Sequence, residues 1–223
     1  MSDPVRTARF ATVVFDVDST LADIEGIDWL AARRDAALAR ECAELTARAM
    51  AGELPIDAVY VRRLRAIAPT ADELAALGEA YRATVIPGAA ALIADLARAG
   101  VEVHLVSGGL RAAILPLARD LGVAESAVHA VELLADDEGR FTLLRGEQPL
   151  ATQPGKRMVL ATLDALRPAV IVGDGSTDAA ARDAVDAFIA FTGVARRPSV
   201  VALADAEATD YDTLRELLFD RSP

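Results

Sequence analysis

The chain has 223 residues, 34 acidic against 23 basic, a formal charge of −11 and a hydrophobic fraction of 53%. That apolar content excludes a disordered chain, and the acidic balance argues against broad nucleic-acid binding, which needs cations to neutralise phosphates. The single cysteine, Cys42, excludes an intrachain disulfide and reads as core packing. Twenty-two of the basic residues are arginine and one is lysine, Lys156; with 48 alanines, this reads as compositional bias that spared one position. The N-terminal segment lacks the hydrophobic core of a signal peptide, and the apolar runs are too short to cross a bilayer. A cytoplasmic protein without membrane or nucleic-acid partners, monomeric or homodimeric, is expected.

Ala11–Phe15 is a short, β-branched, nearly continuous apolar run, the texture of a strand buried on both faces. From about Gly26 to about Ala83 no strand signal appears. Ile27, Leu30, Ala31, Leu38, Cys42, Leu45 and Ala49 form an approximate helical stripe. Gly52 and Pro55 mark a turn before a second helix at Ile56–Ile67, and Thr70 with Glu73 three residues on has the pattern of a capping box opening a third. Pro87-Gly88 closes this insert. Helices at Ala89–Ala99, Arg111–Leu121, Lys156–Leu166 and Asp178–Ala184 then alternate with strands at Val101–Val106, Ala169–Val172, Ala187–Phe191 and, more weakly, Val200–Leu203. Asp136-Asp137-Glu138-Gly139 reads as the turn of a hairpin outside the main sheet. His104 and His129 follow different apolar runs and lack zinc spacing. Alternating strands and helices predict an α/β fold with a parallel sheet, interrupted after its first strand by helices lying over the sheet's C-terminal edge.

Ligands of open parallel sheets bind beyond the carboxyl ends of the strands, so the residues following each strand matter most. They are Asp16-Val17-Asp18-Ser19-Thr20, Ser107-Gly108-Gly109 and Gly173-Asp174-Gly175-Ser176-Thr177-Asp178, with Lys156 opening the helix before the third strand. Asp16 and Asp18 sit two apart on extended backbone, so both can face one way. Their repulsion invites a divalent cation, and Asp174 adds oxygen donors that suit Mg²⁺. Ser107 offers a hydroxyl, the glycines let backbone N–H groups approach an anion, and Lys156 is a point charge for a phosphoryl group. Together these predict a phosphate ester as substrate.

These motifs, in this order, resemble those of the haloacid dehalogenase superfamily, and most closely its phosphoserine phosphatase family. Glu25-Gly26-Ile27-Asp28, Ala49-Met50-x-Gly52-x-Leu54 with Arg62-Arg63-Leu64, Gly139–Phe141, Gln148-Pro149 and Asp186-Ala187-Phe188-Ile189 extend the resemblance from about Phe10 to about Leu218. It implies a Rossmann-like core at residues 1–22 and 85–223 with a helical cap at 23–84, and Mg²⁺-dependent hydrolysis of phosphoserine, the last step of serine biosynthesis, through an aspartyl phosphate. It further implies Asp16 as nucleophile and Asp18 as acid/base. Asp16, the Asp18 carbonyl, Asp174 and Asp178 would serve at the metal, and Ser107, Gly108, Gly109 and Lys156 at the phosphoryl group. Glu25, Arg63 and Thr177 would line the substrate pocket, with Glu25 facing the ammonium and Arg63 the carboxylate. Read from residues alone, Glu25 also suits the first turn of a helix, Arg63 competes with Arg62 and Arg65, and Arg197 competes with Arg196 for a family arginine. Departures at Ile56, Val131-Glu132-Leu133 and Val194 fall where the pocket border is expected and leave a second reading, a phosphatase of the same superfamily for another small phosphate ester. A receiver-like phospho-acceptor is disfavoured by the helical insert and by Asp18, and a dinucleotide-binding fold by Asp-x-Asp in place of a glycine-rich turn.

Overall fold

The computed structural model describes residues 7–54 and 59–220. Strand β1 (Thr12–Phe15) is wholly buried. The chain then runs through helices α1 (Gly26–Ala31), α2 (Ala36–Met50), α3 (Tyr60–Ile67), α4 (Ala71–Ala83) and α5 (Ala89–Arg98). Strand β2 (Glu102–Leu110), helix α6 (Arg111–Asp120), strand β3 (Val128–Val131) and the hairpin β4 (Leu133–Ala135) and β5 (Phe141–Leu144) follow. The remainder comprises α7 (Gly155–Thr162), β6 (Ala169–Gly173), α8 (Ser176–Ala179), β7 (Ala187–Phe191), α9 (Pro198–Val201), β8 (Ala206–Ala208) and α10 (Tyr211–Leu218).

Six strands form one parallel sheet in the order β3-β2-β1-β6-β7-β8. The apolar runs of β1, β6 and β7 make its buried centre, with Val13, Val14, Phe15, Ile171, Val172, Phe188 and Phe191 excluded from solvent. Register places Phe15 beside Leu105 on one side and Val172 on the other. The residues after Phe15, Leu105 and Val172 therefore lie side by side at one edge. The chain order of the strands reverses around β1, so this edge is a topological switch point.

Several expectations hold. Thr70 caps α4 in a reciprocal box with Glu73, and Asp136–Gly139 turns the β4–β5 hairpin, with Gly139 at φ 75°. Others are corrected. Val200–Leu203 is not a strand: Pro198 starts α9, where its fixed φ suits a first helical position. The last strand is β8, whose Ala-Glu-Ala sequence carries no β-branched signal. Strand β3 was also hidden, and it brings His129 against His104 of β2 with the rings stacked and nitrogens 3.3 Å apart. Asp178–Ala184 is one turn of helix followed by a 3-10 turn at Arg182–Ala184, and the Lys156 helix ends at Thr162. Strand β2 continues through Ser107-Gly108-Gly109 to Leu110, with its pairing to β3 shifted across those residues. Ile56 and the start of its expected helix lie outside the described residues. Among the described residues, no helix is long and apolar enough to cross a membrane.

The helices between β1 and α5 meet the sheet edge from above. Tyr60 of α3 donates its hydroxyl to the Gly108 carbonyl (2.8 Å), and Ser176 of α8 donates to the Ala49 carbonyl at the end of α2 (2.8 Å). Helix α4 lies along α6, where Gly78 permits close approach: a Cβ there would sit 3.2 Å from the Ala113 carbonyl oxygen.

Candidate active site

One cavity lies between the sheet edge and these helices, lined by Asp16, Asp18, Gly108, Gly109, Lys156, Asp174 and Thr177 below and by Glu25, Thr46, Met50, Tyr60 and Arg63 above. Asp16 leaves β1 with its amide still in the ladder, donating to the Val172 carbonyl (2.9 Å). Its Oδ1 accepts from the Val17 amide (2.8 Å), and its Oδ2 pairs with the Lys156 ammonium (2.8 Å). Lys156 reaches this place because Gly155 docks against the Pro149 carbonyl, where a Cβ would lie 1.9 Å from the oxygen. The ammonium is buried and also meets Asp178 Oδ1 at 2.7 Å. Burial works against its charge, but Asp16 and Asp178 outweigh that cost and hold it protonated well above the usual lysine range.

Asp16, Asp174 and Asp178 bring carboxylate oxygens within 4.8 Å of one another, all three buried. Burial pushes Asp178 up to about 7, with Asp16 and Asp174 adding to the rise and Lys156 opposing it. Burial likewise raises Asp174 to about 6 against the pull of Arg197. Carboxylates crowded this way accept protons unless a cation compensates them, and an all-oxygen buried set is what a hard divalent cation takes. The donor set therefore fits such an ion. The Asp18 side chain stands outside this group.

Asp18 turns its carboxylate the other way. Oδ1 accepts from the Gly26 amide (2.7 Å) and the Tyr81 hydroxyl (2.8 Å), while Oδ2 faces the Ser107 hydroxyl at 3.4 Å. Burial, then the neighbouring Asp16 charge, raises Asp18 to about 7, against the lowering effect of its hydrogen bonds and Lys156. Ser107 is buried and accepts from the Gly109 amide (2.9 Å). The backbone at Ser19 adopts φ 52°, uncommon for a residue with a Cβ, and its hydroxyl donates to Glu25 Oε1 (2.7 Å). Burial first, then the Asp18 and Asp174 charges, lifts Glu25 well above the carboxylate range.

Two pairs of neighbouring arginines are placed differently. Arg63 points into the cavity and is buried, whereas Arg62 pairs with Glu41 on the surface. Arg63 donates to the Thr46 hydroxyl and lies 3.8 Å from Asp28, and its buried Nε has no protein acceptor. Arg197 pairs with Asp174 and stands 3.9 Å from Glu25, whereas the exposed Arg196 pairs with the half-buried Glu207. The expectation for Val131 and Val194 is corrected: Val131 is buried in β3 and Val194 lies exposed, neither among the cavity-lining residues. Asp28, Thr46, Tyr60 and Tyr81 were missed as site residues. For Tyr81 a signal existed: it continues the apolar stripe Leu74, Leu77 of α4, and a buried tyrosine hydroxyl there demands a partner.

A family model for the haloacid dehalogenase-like hydrolases matches residues 13–182. The phosphoserine phosphatase of Bos taurus is 34% identical over 202 residues, covering 89% of each chain. A phosphoserine phosphohydrolase-like protein from Francisella tularensis superposes with a TM-score of 0.84 at 26% identity, over 92% of this chain and 98% of that one. A substrate-bound phosphoserine phosphatase superposes with a TM-score of 0.76 at 26% identity, over 93% and 96% of the two chains. With its sheet order, its acidic edge and these likenesses in agreement, the chain belongs to the haloacid dehalogenase-like hydrolase family.

Proposed function

We propose that this protein hydrolyses O-phospho-L-serine to L-serine and phosphate through phosphorylation of Asp16. The carrying observation is a single cavity with phosphate chemistry on its floor and an opposed pair, Glu25 and Arg63, on its roof. A zwitterionic amino acid presents an ammonium and a carboxylate; Arg63 matches the carboxylate in sign, and the ammonium would draw Glu25 into its ionised form to match it. Relatives named as phosphoserine phosphatases support the same substrate.

Asp16 attacks phosphorus while the bond from phosphorus to the seryl oxygen breaks. Asp18 gives its proton to that oxygen, then takes one from the water that cleaves the acyl phosphate, so one group serves both half-reactions. Lys156 and Ser107 hold the phosphoryl oxygens, and the Gly109 amide, now on Ser107 Oγ, is poised to join them. Asp16, Asp174, Asp178 and the Asp18 carbonyl would hold Mg²⁺, which supplies charge neutralisation for the transferring group. Helices α1–α3, within the span 23–84, act as the cap that excludes water and reads the amino acid; residues 1–22 and 85–223 are the catalytic core. Thr177 lines the pocket beside Asp174.

Phosphate release from a panel of phosphorylated amino acids and small alcohols, with and without Mg²⁺, tests this reading. Phosphoserine should be the best ester, and only with the metal. Arg63→Ala should raise KM for phosphoserine on the order of a hundredfold and leave KM for p-nitrophenyl phosphate much closer to the wild-type value. An equal effect on both would reject the carboxylate role, and a better substrate lacking the amino-acid head would reject the substrate.

A further inference from the structure

Asp18 Oδ1 accepts two hydrogen bonds from two different helices, the Gly26 amide at the first turn of α1 and the Tyr81 hydroxyl in the last turn of α4. With the Gly26 amide and the Tyr81 hydroxyl both donating to it, Oδ1 is held as an acceptor. This arrangement favours the transferable proton on Oδ2, the oxygen that faces Ser107 and the phosphoryl-binding side. We propose that Tyr81 is a positioning residue for the acid/base: its hydroxyl fixes the Asp18 carboxyl so that Oδ2 is the oxygen that delivers the proton to the leaving group. The inference rests on the reading of Asp18 given above and deepens it.

The arrangement is built into the chain at a second place. A Cβ on residue 26 would lie 2.2 Å from the Tyr81 hydroxyl oxygen and 3.4 Å from Asp18 Oδ1. Glycine is thus required at 26 for the phenol to reach Asp18 at all. Tyr81 is fully buried, so no water competes for its hydroxyl from bulk solvent.

In the first half-reaction the Asp16–phosphorus bond forms, the phosphorus–seryl oxygen bond breaks, and the Oδ2 proton passes to the seryl oxygen. An alkoxide needs that proton, whereas p-nitrophenolate leaves without it. A misdirected acid therefore penalises alkyl esters selectively, which loss of packing alone does not.

The test measures kcat/KM of wild type, Tyr81→Phe, Gly26→Ala and the double variant on O-phospho-L-serine and on p-nitrophenyl phosphate, with melting temperatures as a check on folding. Tyr81→Phe should lower kcat/KM for phosphoserine roughly tenfold or more, mostly through kcat, and for p-nitrophenyl phosphate by a clearly smaller factor. Gly26→Ala should show the same selectivity by displacing the hydroxyl. In the double variant the two selective losses should not add, because the displaced group is gone. Equal losses on both esters, unchanged phosphoserine turnover, or additive selectivity would overturn the proposal. If the wild type prefers another alkyl phosphate, the substrate reading fails while the alkyl-to-aryl comparison on that ester still decides the role of Tyr81. A wild type that spares every alkyl ester would overturn both.

Discussion

Lys156 sits between Asp16 and Asp178 at 2.8 and 2.7 Å, buried where an unpaired charge would be prohibitive. Its ammonium is compact, and the carboxylates close around it from two sides. A guanidinium is wider and planar, with donors in a fixed fork. Lys156→Arg should therefore lower kcat for phosphoserine on the order of a hundredfold at saturating Mg²⁺, with the fold retained by circular dichroism. Full activity would mean that the lone lysine is coincidence. At this scale the sequence was informative where a candidate residue directly follows a buried apolar run, as Asp16, Ser107 and Asp174 do. It did not reveal the partners of Tyr81 and Thr46, which lie far along the chain: Tyr81 meets Asp18, and Thr46 meets Asp28 and Arg63. Arg63 could be separated from Arg62 only by knowing which face of α3 turns inward.

Helix α4 illustrates what local signals specify. Thr70 and Glu73 satisfy each other's backbone amides, as the capping box predicts. What the sequence did not reveal is that Glu73 also receives Arg34 from the turn between α1 and α2, at 2.5 and 2.8 Å. The Arg34 hydrogen bonds, with those from Thr70, lower Glu73 to about 2. A carboxyl held lower in the folded chain than its unfolded value of about 4.3 contributes stability above that value. It loses this contribution as pH falls towards the folded pKa. Chemical denaturation of Glu73→Gln should show a deficit of about 1 kcal/mol at neutral pH, shrinking to nothing as pH drops from about 4 to 2. A deficit constant across that window would contradict the assignment. Elsewhere the failures follow one pattern. Strand β8, Ala-Glu-Ala, is held by its pairing with β7 and not by propensity, and α9 was misread because two adjacent valines resemble a strand in any window that ignores Pro198.

For the whole molecule, the parallel sheet and its helical insert were legible from rhythm: continuous apolar runs separated by helical patterns, with one long break after the first strand. Convergence of the motifs then follows from register, since Phe15 lies level with Leu105 and Val172 and the residues after them emerge together. The roof of the cavity was harder to read, because Glu25 before α1, Thr46 in α2 and Arg63 in α3 come from separate elements whose mutual packing no short window encodes. What unites floor and roof is the claim that Asp16 takes the phosphoryl group from an amino-acid ester held by Glu25 and Arg63. Phosphate release from O-phospho-L-serine by wild type and by Asp16→Asn, each with Mg²⁺, tests that claim most directly. The account predicts turnover by wild type and none above background for a folded Asp16→Asn; substantial turnover by the variant would contradict it.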